Sequence, residues 1–235
     1  MHARPAAGGP FTARAVLIDL DGTLLDTALD LAEAVNRMLT DLGRPTLDAE
    51  QVAAAVGKGA EVLVHRVLTG LPDGRADPAL FQPALSAFLR HYHDTNGLHA
   101  RIYPGVREGL QAMRDAGLAL ACVTNKPQAY AEPLLARLGL AQWFAFVQGG
   151  DALPHKKPDP RPLLHAAARL GAAPALTVAI GDSLNDAQAA RAAGMTVLVV
   201  PYGYNEGAGV QGLDVDAIVD SLWHAAALIR PAPAA

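Results

Sequence analysis

Hydrophobic positions change period along this chain, and the changes predict its elements. Ala15-Val16-Leu17-Ile18 is a continuous apolar run of strand length, as in a strand buried on both faces. From Thr27 to about His99 the spacing is helical. Thr27 is placed to cap a helix with Leu31, Val35, Met38, Leu39 and Leu42 on one face and Gly43 as its stop. Two more helices are predicted over 49–56 and 60–68, the second showing Val64, Val67 and Leu68 on one side. Asp77-Pro78 opens another, with Phe81, Leu85, Phe88, Leu89 and Tyr92 as its stripe, and Pro83 should kink it or mark its true start.

Beyond Tyr103-Pro104-Gly105, helix and strand patterns alternate. Helices are expected over 106–116, 129–138, 162–170, 186–193 and 222–229, and strands over 118–123, 144–147, 176–180, 195–200 and 217–219. Repeated βα units build a parallel sheet covered on both faces. The expected fold is therefore α/β, a doubly wound parallel sheet (Rossmann-like) with a helical cap domain inserted after the first strand. The core is expected over 11–26 and 100–230 and the cap over 27–99, with 1–10 and 231–235 as loose tails.

A length of 235 residues accommodates a domain with an inserted cap. A formal charge of −4, with no concentrated basic stripe, argues against a nucleic-acid partner. Cys122 is the only cysteine, so no intrachain disulfide forms, and its apolar neighbours predict a packed core thiol. No uninterrupted apolar stretch of about 18 residues exists to span a membrane, and the first ten residues lack an apolar signal core. A cytoplasmic protein, monomer or homodimer, is expected.

Candidate chemistry sits where the predicted strands end. The first strand runs into Asp19-Leu20-Asp21-Gly22-Thr23, the 118–123 strand into Thr124-Asn125-Lys126-Pro127, and the 176–180 strand into Gly181-Asp182-Ser183-Leu184-Asn185-Asp186. Lys157-Pro158 lies in a loop before a helix. Open α/β sheets gather such ends in one crevice. Crowded carboxylates are costly unless a cation neutralises them or one holds a proton. With no His or Cys among them they suit a hard cation, Mg²⁺ above all, shared with phosphate oxygens. Lys157 is the favoured fixed cation there, and its neighbour Lys156 is expected to face solvent. Gly57-Lys58-Gly59 either offers backbone N–H groups to an anionic substrate or turns a corner. His91, His93 and His99 lack a ligand pattern and are expected at the surface.

The octapeptide from Asp19 to Asp26 resembles motif one of the haloacid dehalogenase superfamily of phosphotransferases, and the likeness extends over nearly the whole chain. In that family the first Asp attacks phosphorus and water hydrolyses the resulting aspartyl-phosphate. The resemblance implies Asp19 as nucleophile and metal ligand, and Asp21 as general acid and base whose main-chain carbonyl also binds the metal. It implies Thr124 at the phosphate, Lys157 as the motif-three lysine, Asp182 as a metal ligand and Asp186 as an outer or occasional one. Gly22, Thr23, Thr124, Asn125 and Lys58 are the expected substrate contacts.

Within the superfamily, Val56-Gly57-Lys58-Gly59-Ala60-Glu61, Gly149-Gly150-Asp151 and Tyr202-Gly203-Tyr204-Asn205 resemble bacterial phosphoglycolate phosphatases. The implied substrate is a small phosphorylated metabolite, 2-phosphoglycolate first. A sugar-phosphate phosphatase or phosphomutase is the alternative, then a phosphonatase using Lys58 or a non-catalytic binder of a phosphometabolite. Dehalogenation is disfavoured, because it needs neither a metal nor an acid at Asp21.

Overall fold

In a computed structural model the chain is described over residues 9–205 and 209–233. The elements run β1 (Phe11–Ala13), β2 (Ala15–Ile18), β3 (Leu25–Asp26), α1 (Ala28–Asp41), α2 (Ala49–Ala53), α3 (Ala60–Thr69), α4 (Pro78–Thr95), β4 (Arg101–Ile102), α5 (Val106–Asp115) and β5 (Ala119–Val123). They continue through α6 (Gln128–Arg137), β6 (Phe146–Gln148), α7 (Arg161–Arg169), β7 (Thr177–Gly181), α8 (Leu184–Ala192), β8 (Thr196–Val199), β9 (Ala217–Ile218), α9 (Leu222–Leu228) and β10 (Ile229–Pro231).

The central sheet has six strands in the order β6-β5-β2-β7-β8-β9, and every pairing in it is parallel. Successive side chains on a strand point to opposite faces, and each face is buried here. Val16 and Ile18 join Leu110 and Met113 of α5, Leu134 and Leu135 of α6 and Leu222 of α9 on one side. Leu17 joins Leu163 of α7 and Ala189 and Ala190 of α8 on the other. Burying one such aliphatic side chain contributes about 1.5–3 kcal/mol, and the apolar run of β2 follows from having no solvent face. Cys122 is fully buried in the first of these clusters, and burial pushes its thiol up.

The chain turns from β2 to β5 on one side and later to β7 on the other. In register, Ile18 stands opposite both Cys122 and Ile180. The residues that follow these three therefore leave the sheet side by side, at the switch point where such folds bind ligands.

Between β2 and β5, helices α1 to α4 bury their own apolar cluster, including Leu31, Val35, Met38, Val52, Leu63, Val64, Phe88 and Tyr92. Helix α4 continues through Pro83. A proline in the second turn removes a single ladder bond, while Phe81, Ala84, Phe88 and Tyr92 stay buried along one face. The insert leaves through β3 and returns through β4, an antiparallel pair with Leu25 opposite Ile102 and Asp26 opposite Arg101.

Four short strands, β1, β3, β4 and β10, were absent from the expected pattern. β1 and β10 pair in parallel, with Ala13 opposite Pro231, so Pro231 belongs to a strand rather than a frayed end. The expected tails over 1–8 and 234–235 lie outside the described residues. The described residues contain no helix long and apolar enough to cross a membrane.

Candidate active site

Asp19, at the end of β2, and Asp182 and Asp186, beyond β7, each bring a carboxylate oxygen within 4.8 Å of one another. Lys157 enters the same space from the loop before α7. Its ammonium donates to Asp186 Oδ1 at 2.6 Å and to the Val123 carbonyl at 3.0 Å. It also lies 2.9 Å from Asp19 Oδ1, an ion contact that leaves that buried oxygen without a hydrogen-bond donor. The three acids and the lysine predicted to converge do so.

Each acid is held differently. Asp182 Oδ1 accepts from the Thr23 hydroxyl at 2.7 Å, and its Oδ2 from Tyr204 N at 2.6 Å. Asp186 closes a capping box at the start of α8, accepting from Ser183 Oγ at 2.6 Å and Ser183 N at 3.2 Å. Gly22 packs against Asp182 so closely that a Cβ would stand 2.3 Å from Asp182 Oδ2. Thr23 and Gly22, expected to touch substrate, thus act on Asp182.

Burial pushes the Asp19 carboxyl up to about 6, with Lys157 pulling it down and Asp186 pushing it further up. Burial, with Asp186 and Asp19 nearby, pushes Asp182 well above the usual carboxylate range. Burial also works against the charge on Lys157, but Asp186 and Asp19 outweigh it and raise that ammonium. Three carboxylates against one ammonium leave an excess of negative charge in a dry place. Oxygen-only donors and that excess charge fit a divalent hard cation such as Mg²⁺, with Asp19, Asp182 and Asp186 as the residues that could hold it.

Asp21 stands apart from this cluster. Its oxygens lie 2.8 and 3.0 Å from Lys126 Nζ, and Oδ1 also accepts from the Thr27 hydroxyl at 2.7 Å. Thr27 therefore does not cap α1 with its side chain; Asp26 Oδ1 accepts from Ala28 N instead, at 3.2 Å. The motifs of the sequence give Lys126 no role, although a lysine at a strand end beside clustered acids is a usable signal. Tyr202 and Tyr204 were noted only as part of a resemblance. Tyr202 donates to the Thr23 carbonyl at 2.9 Å, and Tyr204 donates to Asp26 Oδ1 at 2.6 Å while accepting from Thr27 N.

A small cavity of about 50 Å³ opens in front of Asp19 and Asp21. Thr124, Asn125, Lys126 and Pro127 form its floor, and Leu31, Val56, Gly57, Gly59, Ala60, Leu63 and Phe88 of the insert form its roof. Lys58 is not among the lining residues, although both flanking glycines are. Asn125 works as a bracket. Its Oδ1 accepts from Lys157 N at 2.9 Å, and its Nδ2 donates to Lys157 O at 2.9 Å and Gly57 O at 3.1 Å. Lys156, expected in solvent, comes near the insert: its Nζ would lie 3.5 Å from a Cβ built on Gly59. His91 and His99 pair with Asp41 and Glu33, at 2.7 and 2.8 Å, and His93 is exposed.

The family model described as haloacid dehalogenase-like hydrolase matches residues 13–194. The chain is 51% identical over 223 residues to a phosphoglycolate phosphatase of Thiobacillus denitrificans, covering 95% of this chain and 98% of that protein. It is 54% identical over 221 residues to a phosphoglycolate phosphatase of Nitrosospira multiformis, covering 94% and 97%. Among solved structures, a predicted phosphoglycolate phosphatase from Haemophilus somnus superposes with a TM-score of 0.84 at 32% identity, over 90% of this chain and 95% of that one.

Proposed function

Because the chain belongs to the haloacid dehalogenase-like hydrolase family, we propose that it is a Mg²⁺-dependent phosphomonoester hydrolase acting on 2-phosphoglycolate through an aspartyl-phosphate. The observation that carries this reading is the meeting of Asp19, Asp182, Asp186 and Lys157 at the ends of neighbouring parallel strands. The name borne by relatives at about half identity supports the substrate. Residues 11–26 and 100–230 form the catalytic unit and 27–99 its cap, in a cytoplasmic protein whose partner is a small phosphorylated metabolite.

Asp19 is the nucleophile. Its carboxylate oxygen attacks phosphorus, the bond to the ester oxygen breaks, and Asp21, which must take up a proton before the step, gives that proton to the ester oxygen. Asp21, now a carboxylate, takes a proton from the water that attacks the aspartyl-phosphate and releases phosphate. Lys157 offsets the charge of Asp19 and the phosphoryl oxygens, and Thr124 offers its hydroxyl to one of them. Asp19, Asp182 and Asp186 would hold Mg²⁺, with the Asp21 carbonyl as a further ligand, and the bound ion would supply charge neutralisation for the transferring group. The cap, through Gly57 and Gly59, excludes water.

A phosphate-release panel of phosphoglycolate, sugar phosphates, phosphonoacetaldehyde and pyrophosphate tests the reading. Phosphoglycolate should give the highest kcat/KM and need Mg²⁺; a sugar phosphate ahead of it would replace the substrate. Asp21→Asn should fold and bind Mg²⁺ yet lose roughly 10² or more in turnover of alkyl phosphates. Normal turnover by that variant would remove Asp21 from the mechanism.

A further inference from the structure

A carboxylate on the substrate needs a partner, and Lys58, one of the expected substrate contacts, does not line the cavity. We propose that Lys126 selects the substrate by its second anion, binding a carboxylate carried one carbon from the ester oxygen. This deepens the phosphoglycolate reading and rests on it.

Among the described residues lining the cavity, Lys126 is the only cation. Its side chain is 3% exposed, with the ring of Tyr92 4.8 Å from Nζ. The roof is apolar over Leu31, Val56, Leu63 and Phe88, so a substrate anion that turns away from Asp19 meets no other countercharge there. In such surroundings a charge-assisted hydrogen bond counts for more than it does in water. Lys157 is already engaged by Val123, Asp186 and Asp19.

Position sets where the second anion sits. Lys126 Nζ lies 2.8 and 3.0 Å from the two oxygens of Asp21, and Asp21 is the group that addresses the ester oxygen. A carboxylate bound to Lys126 is then within about two hydrogen-bond lengths of Asp21, which favours a short substrate whose second anion is close to the ester oxygen. Two of the three donors of the ammonium face Asp21, which leaves one for a substrate carboxylate.

Ethyl phosphate has the shape of phosphoglycolate with a methyl group in place of the carboxylate, so the ratio of kcat/KM for the two isolates the second anion. The unaltered protein should prefer phosphoglycolate by about 10²-fold and should handle 3-phosphoglycerate less well. Lys126→Met should lose that preference mainly through a higher KM for phosphoglycolate, with the KM for ethyl phosphate changed far less. Lys126→Gln serves the same comparison if circular dichroism shows that Lys126→Met is unfolded. A preference that survives in the variant, with both rates reduced alike, would make Lys126 a support for Asp21 and overturn the proposal alone. An unaltered protein that hydrolyses sugar phosphates and ignores phosphoglycolate would overturn the substrate reading and this proposal together.

Discussion

At Gly22 the backbone takes φ +85° and passes so near Asp182 that a Cβ would be 2.3 Å from Oδ2 and 2.9 Å from Tyr204 N. The left-handed conformation costs a residue with a Cβ about 1–2 kcal/mol, and the clash falls on an acid that faces the metal position. Gly22→Ala should therefore fold with a lowered Tm and bind Mg²⁺ at least about tenfold more weakly, as read by isothermal titration. Unchanged affinity would show that Asp182 gives way without loss. The hydroxyls of Thr23 and Thr27 illustrate a limit of residue-by-residue reading. Each could serve a turn, a cap or a substrate by its chemistry, and each is claimed by an acid distant in sequence or angle, Asp182 and Asp21 respectively.

Between elements, the return of the helical insert depends on Asp30. This buried side chain on α1 accepts from Gly97 N and His99 N, both at 2.6 Å, and its carbonyl accepts from the Thr95 hydroxyl at 3.0 Å. Removing the carboxylate strands two backbone donors beside a helix with no other partner for them. Asp30→Ala should cost about 2–4 kcal/mol, visible as a lower midpoint in urea at unchanged slope. A midpoint equal to that of the unaltered protein would mean water replaces both bonds. The aromatic run Phe88, Tyr92 and Tyr130, with ring centroids 5.4 and 5.0 Å apart, joins insert to core on the same side. Periodicity put Phe88 and Tyr92 on one stripe of α4 but carried nothing about the stacking of Tyr92 on Tyr130, because those two rings come from different elements.

Over the whole molecule, charge and stability meet at the strand ends. Asp19 titrates near 6 in the folded protein against an ordinary 3.8, so the folded state holds that proton more tightly than the unfolded chain does. Its contribution is stabilising below about pH 4 and is lost as pH rises through 6, and Asp182 shifts in the same direction. A divalent cation replaces the proton and reverses the loss. Saturating Mg²⁺ should raise Tm by about 5–10 °C at pH 7.5 and by clearly less at pH 5, in scanning calorimetry. An equal gain at both values would detach the metal from these carboxylates.

Short-range pattern was enough for the parallel strands, the helices between them and the acids that close each strand, because burial on two faces and the end of a strand both leave local marks. It was also enough to place Asp19, Asp182, Asp186 and Lys157 in one crevice, since strand ends in such a sheet converge. Strands of two or three residues, such as β3 with β4 and β1 with β10, left no period to read. The partners of Lys126, Asn125, Thr27 and Tyr204 depended on folding, because a hydrogen bond or ion pair is fixed by distances that arise when segments up to 178 residues apart are packed together. For the same reason the sequence offered Lys58 as a substrate contact in the cap, whereas the folded chain lines the cavity with Lys126.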